Sequence, residues 1–232
     1  MPIAVITGAA TGVGFETVAA IVQQCPDFEI VAITHTENKN SELQLFASKH
    51  ATVRCLAWDI VSGESEPLLS VVHEKPIELL INNAGLLVKK PFLDLGYEDF
   101  LKAWQVNCWG AARVTQLLLP NLLKATHPHV VMIGSMGGFS GSVKFSELAA
   151  YSSAKGAVSI LTEALHHEFL HTNLTFNCLS FGAIQTNMLS RAFPGYRAPI
   201  TAAAAGSFIA HFALTGYRYF RGKVLPVSTT TP

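Results

Sequence analysis

The chain of 232 residues carries 16 Lys and Arg and 16 Asp and Glu, so its formal net charge is zero. This neutrality argues against a nucleic acid or an anionic membrane as partner. Half of the residues are hydrophobic, yet no uninterrupted apolar run approaches the ~20 residues that cross a membrane. We therefore expect one compact domain over residues 1–232 with a well-buried core.

The amino terminus and the cysteines indicate the compartment. Met1 is followed directly by a strand-like apolar segment, without the basic region, long apolar core and cleavage site of a signal peptide. The cysteines lack CxxC spacing, which favours buried, reduced thiols over disulfides or metal ligands. We expect a cytoplasmic protein whose thiols are Cys25, Cys55, Cys108 and Cys178.

Short apolar runs alternate with helical patterns along the whole chain, which predicts βαβ units and a parallel sheet covered on both faces. The predicted strands are Ile3–Thr7, Ile30–Thr34, Val53–Trp58, Glu78–Asn82, Val130–Gly134, Leu174–Leu179 and Lys223–Val227. The predicted helices are Gly14–Gln24, Ser41–Lys49, Glu64–His73, Tyr97–Leu119, Ala149–His171 and Thr201–Leu214. Two irregular stretches, 136–148 and 182–199, follow predicted strands, so we expect them to form the substrate rim.

The segment TGAATGVG at residues 7–14 joins the first strand to the first helix. Its glycines allow a tight turn and a close approach of the backbone to a pyrophosphate, which the free N–H groups of the following helix would bind. The spacing is GxxxGxG, not GxGxxG, and a plain glycine-rich turn is the alternative. The strand and helix on either side favour a dinucleotide site.

The end of the second strand indicates the choice of cofactor. An acid is expected about twenty residues beyond the glycines for NAD, or a basic group for NADP. Here His35 or Thr36 occupies that place, and Glu37 comes too late. An imidazole and a hydroxyl tolerate a 2′-phosphate better than a carboxylate does, so the sequence favours NADP. Lys39 could assist from the loop, although a solvated charge is the simpler interpretation.

Polar residues also end the next strands. Asp59, followed by Ile60, could accept a hydrogen bond from the adenine amino group, and Asn83, Ala84 and Gly85 could line the cofactor cleft. Each signal is weak alone, because an Asp or Asn in such a place is usually only a cap.

A possible proton-transfer pair lies at the start of the fifth helix. Tyr151 and Lys155 are four residues apart and share one helix face, so the ammonium would favour the ionised phenol and lower its pKa from ~10. By itself a YxxxK pattern more often means a packed tyrosine and a solvated lysine.

Taken together, these segments resemble the short-chain dehydrogenase/reductase family essentially from end to end. The resemblance implies a single-domain Rossmann fold, a doubly wound parallel seven-stranded sheet with helices on both faces, and NAD or NADP as cofactor. The matching residues are the glycines of TGAATGVG, Asp59, NNAG at 82–85, Asn107 in VNCWG, Ser135 after VVMIG, Tyr151 and Lys155.

The resemblance implies a catalytic tetrad of Asn107, Ser135, Tyr151 and Lys155. Tyr151 would protonate the developing alkoxide while hydride reaches the carbonyl carbon, and Ser135 would bind the same oxygen. Lys155 would lower the pKa of Tyr151 and bind the nicotinamide ribose, and Asn107 would hold a relay water. The implied cofactor-binding residues are Gly8, Thr11, Gly12, Val13, Gly14, His35, Thr36, Asp59, Ile60, Asn83, Ala84, Gly85, Tyr151, Lys155, Gly182, Ile184 and Thr186.

The chain departs from the family pattern in two places near this site. Tyr151 follows Ser135 by 16 residues, which indicates a small insertion and leaves Ser140 and Ser142 as alternatives to Ser135. Phe181 replaces the usual proline before Gly182, so we expect a freer backbone and an added ring beside the cofactor. Thr186, further along, could contact the nicotinamide carboxamide.

Two other classes of function compete with an NAD(P)-dependent oxidoreductase. Residues 167–171 read HExxH, a zinc-hydrolase pattern in which Glu168 would be the base. However, this segment lies over 20 Å along the helix from Tyr151, at about 1.5 Å per residue. A silent cofactor-sensing or scaffold protein of the same fold is the second alternative, although all four tetrad residue types are present.

Apolar residues in the two irregular stretches indicate the substrate. With few charges there, we expect a small neutral carbonyl or secondary alcohol as substrate. Because the HExxH segment lies far from Tyr151, we expect no metal site. The family resemblance implies a homodimer or homotetramer that uses the helices beginning at Tyr97 and Ala149. The apolar rim residues are Phe139, Phe145, Leu148, Met188, Leu189, Phe193 and Tyr196.

Overall fold

The structure is a computed structural model that describes residues 1–37 and 42–229. Its strands are β1 Ile3–Thr7, β2 Glu29–Thr34, β3 Val53–Ala57, β4 Ile77–Asn82, β5 His129–Ser135, β6 Thr175–Phe181, β7 Ile184–Gln185, β8 Ile200–Thr201 and β9 Lys223–Val227. Its helices are α1 Gly12–Gln24, α2 Glu42–Ala47, α3 Ser65–Val72, α4 Tyr97–Trp104, α5 Gly110–Leu122, α6 Ala149–Glu168, α7 Asn187–Ala192 and α8 Ala202–Thr215. Short 3₁₀ turns occur at Phe92–Asp94 and Gly216–Arg218.

Within the described residues, seven parallel strands form one sheet in the order β3-β2-β1-β4-β5-β6-β9. The chain builds β1, β2 and β3 in one direction and then returns to place β4 on the other side of β1. This reversal creates a crevice at the carboxyl ends of β1 and β4, where doubly wound folds bind ligands. The predicted single-domain α/β fold with this sheet is confirmed.

Both faces of the sheet are buried, which explains why its strands are apolar without alternation. In β1, Ala4 and Ile6 pack on the side of α1 and α8, while Ile3 and Val5 pack on the side of α3, α5 and α6. No helix in the described part of the chain is long and apolar enough to cross a membrane.

The prediction of one continuous helix from Tyr97 to Leu119 is wrong. A π-helical turn at Gln105–Trp109 separates α4 from α5, and the second part continues to Leu122. Such turns insert one residue into the helical repeat and often lie at functional sites. Asn107, a predicted tetrad residue, stands in the middle of this turn.

Other boundaries also differ from the predictions. β6 continues to Phe181 because phenylalanine, unlike proline, keeps the backbone N–H that a strand needs. α6 ends at Glu168 and not at His171, and the stretch 182–199 contains α7 and the short strand β7, which pairs with β8 just beyond it. The predicted start of the second helix at Ser41 lies outside the described residues.

A buried histidine joins β5, β6 and α8. His129 is fully buried, its Nδ1 lies 2.9 Å from the Ala213 carbonyl oxygen, and its Nε2 lies 2.9 Å from Asn177 Nδ2. Asn177 Nδ2 donates, so Nε2 accepts and Nδ1 carries the proton, which makes the ring neutral. Burial lowers the pKa of His129 to about 4, against the opposing effect of the Ala213 hydrogen bond.

We expect His129 to make the fold acid-sensitive. Because the unfolded chain takes up a proton near pH 6.5 and the folded chain does not until about pH 4, stability falls as the pH drops through this window, by about 3 kcal/mol. Denaturant unfolding at several pH values measures the free energy of unfolding. Between pH 6.5 and about pH 4 this free energy should change less with pH in His129→Gln than in the unsubstituted chain. An equal change in both proteins would contradict the assignment.

Candidate active site

A cleft of about 860 Å³ opens at the carboxyl ends of β1, β4, β5 and β6. It is lined by the glycine-rich turn, the ends of β2 and β3, the start of α6 and the segment that carries α7. Every predicted site residue lines this cleft except Thr36 and Asn107. The fold thus brings residues that are as far apart in sequence as Gly8 and Thr186 to the wall of the same cleft.

The glycine-rich turn is held against the end of β4. Gly8 has a φ of +67°, and a Cβ there would lie 2.7 Å from the Ala84 Cα, so only glycine fits. Asn83 Nδ2 donates to the carbonyl oxygens of Thr7 (3.0 Å) and Gly8 (3.1 Å), while Thr7 Oγ1 accepts from the N–H groups of Asn83 and Ala84. Asn83 therefore fixes the shape of the turn as well as lining the cleft.

The first turn of α1 suits an anion. The helix begins at Gly12, its first turn contains no acidic residue, and the Thr11 side chain makes no capping hydrogen bond to it in the described structure. Gly12, Val13 and Gly14 line the cleft, so the free N–H end of the helix and the positive end of its dipole lie at the cleft wall. Gly12 also faces Thr186, whose Cγ2 would lie 3.6 Å from a Cβ at that position.

His35 and Asp59 face each other at the far end of the cleft, with His35 Nδ1 3.9 Å from Asp59 Oδ1. The Asp59 carboxylate accepts from the Val61 N–H (2.9 Å) and the Ser62 hydroxyl (2.7 Å). Burial raises the pKa of Asp59. The hydrogen bonds and the nearby His35 lower this pKa by more than burial raises it, so the net shift is downward. Asp59 caps its own loop, and Lys39 lies outside the described residues.

Thr36 does not join this end of the cleft. It is exposed, and its carbonyl oxygen accepts from the Thr34 hydroxyl at 3.0 Å. Of the two residues predicted at the ribose, only His35 lines the cleft.

Ser135 is the serine that meets Tyr151. Its hydroxyl hydrogen-bonds to the Tyr151 phenol and accepts from the Gly137 N–H at 3.1 Å. Ser140 and Ser142 do not line the cleft, and the Ser142 hydroxyl donates to the carbonyl oxygens of Met136 and Phe139. The geometry therefore favours Ser135 over the two alternatives.

The expected lowering of the Tyr151 pKa is wrong for this structure. Burial raises the pKa of the phenol, and the hydrogen bond to Ser135 offsets only part of that effect. The Lys155 ammonium instead donates to the Ile133 carbonyl oxygen at 2.7 Å. A raised pKa keeps the phenol protonated at neutral pH, which is the form that donates a proton.

Lys155 is buried with 4% of its surface exposed. Burial lowers its pKa to about 8, while Cys178 and Cys108 nearby act in the opposite direction. A Cβ at Gly85 would lie 3.5 Å from Lys155 Nζ and 3.1 Å from Asn107 Oδ1, so Gly85, Lys155 and Asn107 meet at the wall of the cleft.

The Asn107 amide supports the wall of the cleft. Its Nδ2 donates to the carbonyl oxygens of Leu86 and Ala103, both at 2.8 Å, and its Oδ1 accepts from the Leu86 N–H at 3.1 Å. Oδ1 keeps one lone pair for a further donor. Its predicted role as holder of a relay water stays a prediction.

Phe181 differs from the expectation of a loose residue beside the cofactor. It is 4% exposed, pairs with Ser135 in the sheet, and its ring meets Phe208 edge-on at 6.1 Å. The ring belongs to the core and presents only part of its surface to the cleft, so the backbone there is fixed.

The apolar rim forms as predicted, with one exception. Phe139 does not line the cleft, whereas the remaining rim residues do, and the rings of Phe145 and Phe193 lie 6.4 Å apart across the mouth. The lining rim residues are Phe145, Leu148, Met188, Leu189, Phe193 and Tyr196.

Lys89, which sequence reasoning missed, ties the rim together. Its Nζ donates to the Ala192 carbonyl oxygen (2.9 Å), pairs with Glu147 (3.2 Å) and lies 4.6 Å from the centroid of the Phe193 ring. Because α7 contributes no buried residue, this lysine is a main link between that helix and the opposite wall. A lone lysine in a loop gave no sequence signal for such a contact.

The HExxH segment does not form the helical face that a zinc site requires. α6 ends at Glu168, so His171 lies beyond the helix that carries His167. Among residues 1–37 and 42–229, no group of three or more His, Cys, Asp or Glu could hold a metal ion.

A family model described as short chain dehydrogenase matches residues 2–197. Among curated proteins, a carbonyl reductase (NADPH) 2 of Sus scrofa is 30% identical over 187 residues, which cover 80% of this chain and 72% of the relative. A dehydrogenase/reductase SDR family protein 7-like of Drosophila melanogaster is 28% identical over 202 residues. This match covers 83% of this chain but only 60% of the relative. The solved structure of ElxO with NADP bound has a TM-score of 0.85 at 22% identity and covers 98% of this chain and 97% of its own.

Proposed function

Because the chain belongs to the short-chain dehydrogenase family, we propose that it transfers hydride between a nicotinamide dinucleotide and a neutral carbonyl or secondary alcohol. The observation that carries this proposal is the arrangement of Ser135, Tyr151 and Lys155 in the same cleft as the glycine-rich turn. Sequence relatives named as oxidoreductases and reductases support the reaction class.

The cleft fits a dinucleotide by its own construction. Gly8 and Gly12 leave the backbone bare, and the first turn of α1 offers N–H groups to a pyrophosphate. When bound, the nicotinamide would supply the hydride, and Lys155 and Tyr151 would hold its ribose. Gly182, Ile184 and Thr186 line the cleft opposite the glycine turn, where they would bind the nicotinamide end.

Tyr151 acts as the general acid in the proposed reaction. Its raised pKa keeps the proton on the phenol until negative charge develops on the substrate oxygen. Ser135, which hydrogen-bonds to the phenol, donates to the same oxygen and stabilises that charge. Oxidation of an alcohol would use the same groups in reverse, with the Tyr151 phenolate as the base.

We propose NADP over NAD as the preferred cofactor. His35 lies at the ribose end with 77% of its side chain exposed, and the Asp59 carboxylate is engaged by its own loop. An exposed imidazole can approach a 2′-phosphate without the repulsion that a carboxylate at this position would cause. The porcine relative is named for NADPH.

The rim and an exposed helix face indicate the substrate and the assembly. The apolar mouth suits a neutral apolar substrate.

Phe100 and Trp104 on α4 are partly exposed beside Ala150 and Ala154 of α6, so we propose that this face forms a homodimer. Light scattering that gives the mass of a single chain at micromolar concentration would contradict the dimer.

Deuteride transfer tests the proposed reaction. The protein is incubated with NADPH or NADH carrying deuterium at the transferred position, together with a panel of apolar ketones and aldehydes. We expect deuterium on the carbinol carbon of a product, with NADPH the better donor. Dinucleotide binding without any transfer would favour the silent cofactor-sensing alternative.

A further inference from the structure

We infer that Arg113 positions the adenine-binding loop of the cleft through a set of backbone carbonyl contacts. This inference rests on the proposed function, because it assigns a role at the adenosine end of the same cleft. Arg113 lies on α5 and does not line the cleft itself.

The loop after β3 forms the adenosine end of the cleft. Trp58, Asp59, Ile60 and Val61 all line it. Their contribution depends on backbone shape, because the Asp59 carboxylate is already bonded within the loop. Whatever holds this backbone therefore sets the surface that an adenine meets.

The Arg113 guanidinium binds this backbone at three points. Nη1 donates to the carbonyl oxygens of Asp59 (3.5 Å) and Ile60 (3.3 Å), and Nη2 donates to that of Gly63. Arginine is suited to this task because its planar group presents several donors in a fixed arrangement. One side chain thus spans the loop from Asp59 to Gly63.

The same guanidinium also fixes the Trp58 ring. Arg113 Cζ lies 5.0 Å from the centroid of that ring, within the range of a cation–π contact. The indole Nε1 donates to the Glu64 carbonyl oxygen at 2.7 Å, so the ring is held at its edge as well. Trp58 is consequently fixed where it lines the cleft.

α5 adds close packing on the same loop. A Cβ at Gly110 would lie 2.5 Å from Ile60 Cδ1, so the Ile60 side chain rests directly on the helix backbone. The π-helical turn that carries Asn107 immediately precedes this glycine. One continuous stretch of helix therefore supports the adenosine end through Arg113 and the catalytic end through Asn107.

Separate binding measurements for the two halves of the cofactor distinguish a role of Arg113 in positioning the adenine-binding loop from a role in the stability of the whole protein. The probes are adenosine 5′-diphosphate for the adenosine end and reduced nicotinamide mononucleotide for the catalytic end. For Arg113→Met we expect the Kd of adenosine diphosphate to rise at least about tenfold, because three carbonyl groups lose their donor. The Kd of the mononucleotide should stay within about twofold, since the described contacts of Arg113 lie at the adenosine end of the cleft.

Two further variants make the experiment decisive. Arg113→Lys keeps the charge but offers one ammonium in place of the fork, so it should also weaken adenosine diphosphate, and it carries the test if Arg113→Met does not fold. The matched control Arg221→Met removes an exposed guanidinium that donates to the Thr172 carbonyl oxygen at 3.0 Å, outside the cleft lining. It should leave both Kd values unchanged.

The outcomes distinguish this inference from the proposed function. An unchanged Kd for adenosine diphosphate in both Arg113 variants, or equal weakening of both probes, would overturn the role of Arg113. If the unsubstituted protein binds neither probe, the proposed function itself fails.

Discussion

Replacing Tyr151 by phenylalanine should lower kcat for carbonyl reduction by about 10²–10⁴-fold. The substitution removes only the hydroxyl that would protonate the substrate oxygen and that hydrogen-bonds to Ser135. The ring stays in place, so the Kd of NADPH should change little. Steady-state kinetics with a fluorescence titration of the cofactor measures both quantities.

Tyr97→Phe is the matched control for this substitution. Tyr97 is 75% exposed at the start of α4 and does not line the cleft, so its loss should leave kcat unchanged. Full turnover in Tyr151→Phe would remove this residue from the mechanism. Loss of cofactor binding together with turnover would instead indicate that the phenol is needed for the shape of the cleft.

Replacing Gly14 by alanine should lower kcat/KM for the dinucleotide by about a hundredfold, since a displacement near 1 Å at a positioned site has effects of this size. A Cβ at Gly14 would lie 2.2 Å from the Gly8 carbonyl oxygen and 2.6 Å from Asn83 Nδ2. The turn must therefore move away from α1, and the Asn83 hydrogen bonds that shape it must lengthen. Initial rates over a range of NADPH concentrations measure the loss.

Thermal unfolding of the same variant checks the physical cause. Overpacking at Gly14 should also reduce the free energy of unfolding by about 1–3 kcal/mol. Gly96→Ala is the control, because the nearest atom to a Cβ there is 4.0 Å away and Gly96 is outside the cleft lining. Wild-type cofactor kinetics in Gly14→Ala would show that the turn does not bind the pyrophosphate.

Local pattern was sufficient to predict the sheet and most of the residues that line the cleft. Gly8, Gly12 and Gly14 lie where a strand meets a helix, and Tyr151 and Lys155 are one helical turn apart. In such motifs the chemistry is carried by neighbours in sequence, so spacing alone restricts their geometry. The carboxyl ends of parallel strands then bring the separate motifs to one edge.

Properties that depend on distant contacts could not be predicted in this way. The pKa of Tyr151 is set by burial more than by Lys155, which is engaged by Ile133. Arg113 meets a loop about 50 residues earlier in the chain, and Lys89 meets Ala192. Such contacts depend on how helices and loops pack, and single residues of these types carry no pattern that reveals a partner.

Residue 181 illustrates this limit. The sequence has Phe181 where a proline is usual, which predicts a freer backbone there. The sequence pattern did not show that the ring would pack on Phe208 in the core. The result is an ordered strand end where a freer backbone was expected.

Transfer of deuterium from labelled NADPH to the carbinol carbon of an apolar product tests the central claim most directly. We expect one deuterium in each product molecule made by the unsubstituted protein, and with Tyr151→Phe a rate of labelled product that is lower by about 10²–10⁴-fold. Product with the same deuterium content and rate from both proteins would contradict the assigned mechanism. Absence of deuterium from every product of the unsubstituted protein, although it binds the dinucleotide, would contradict the proposed hydride transfer itself.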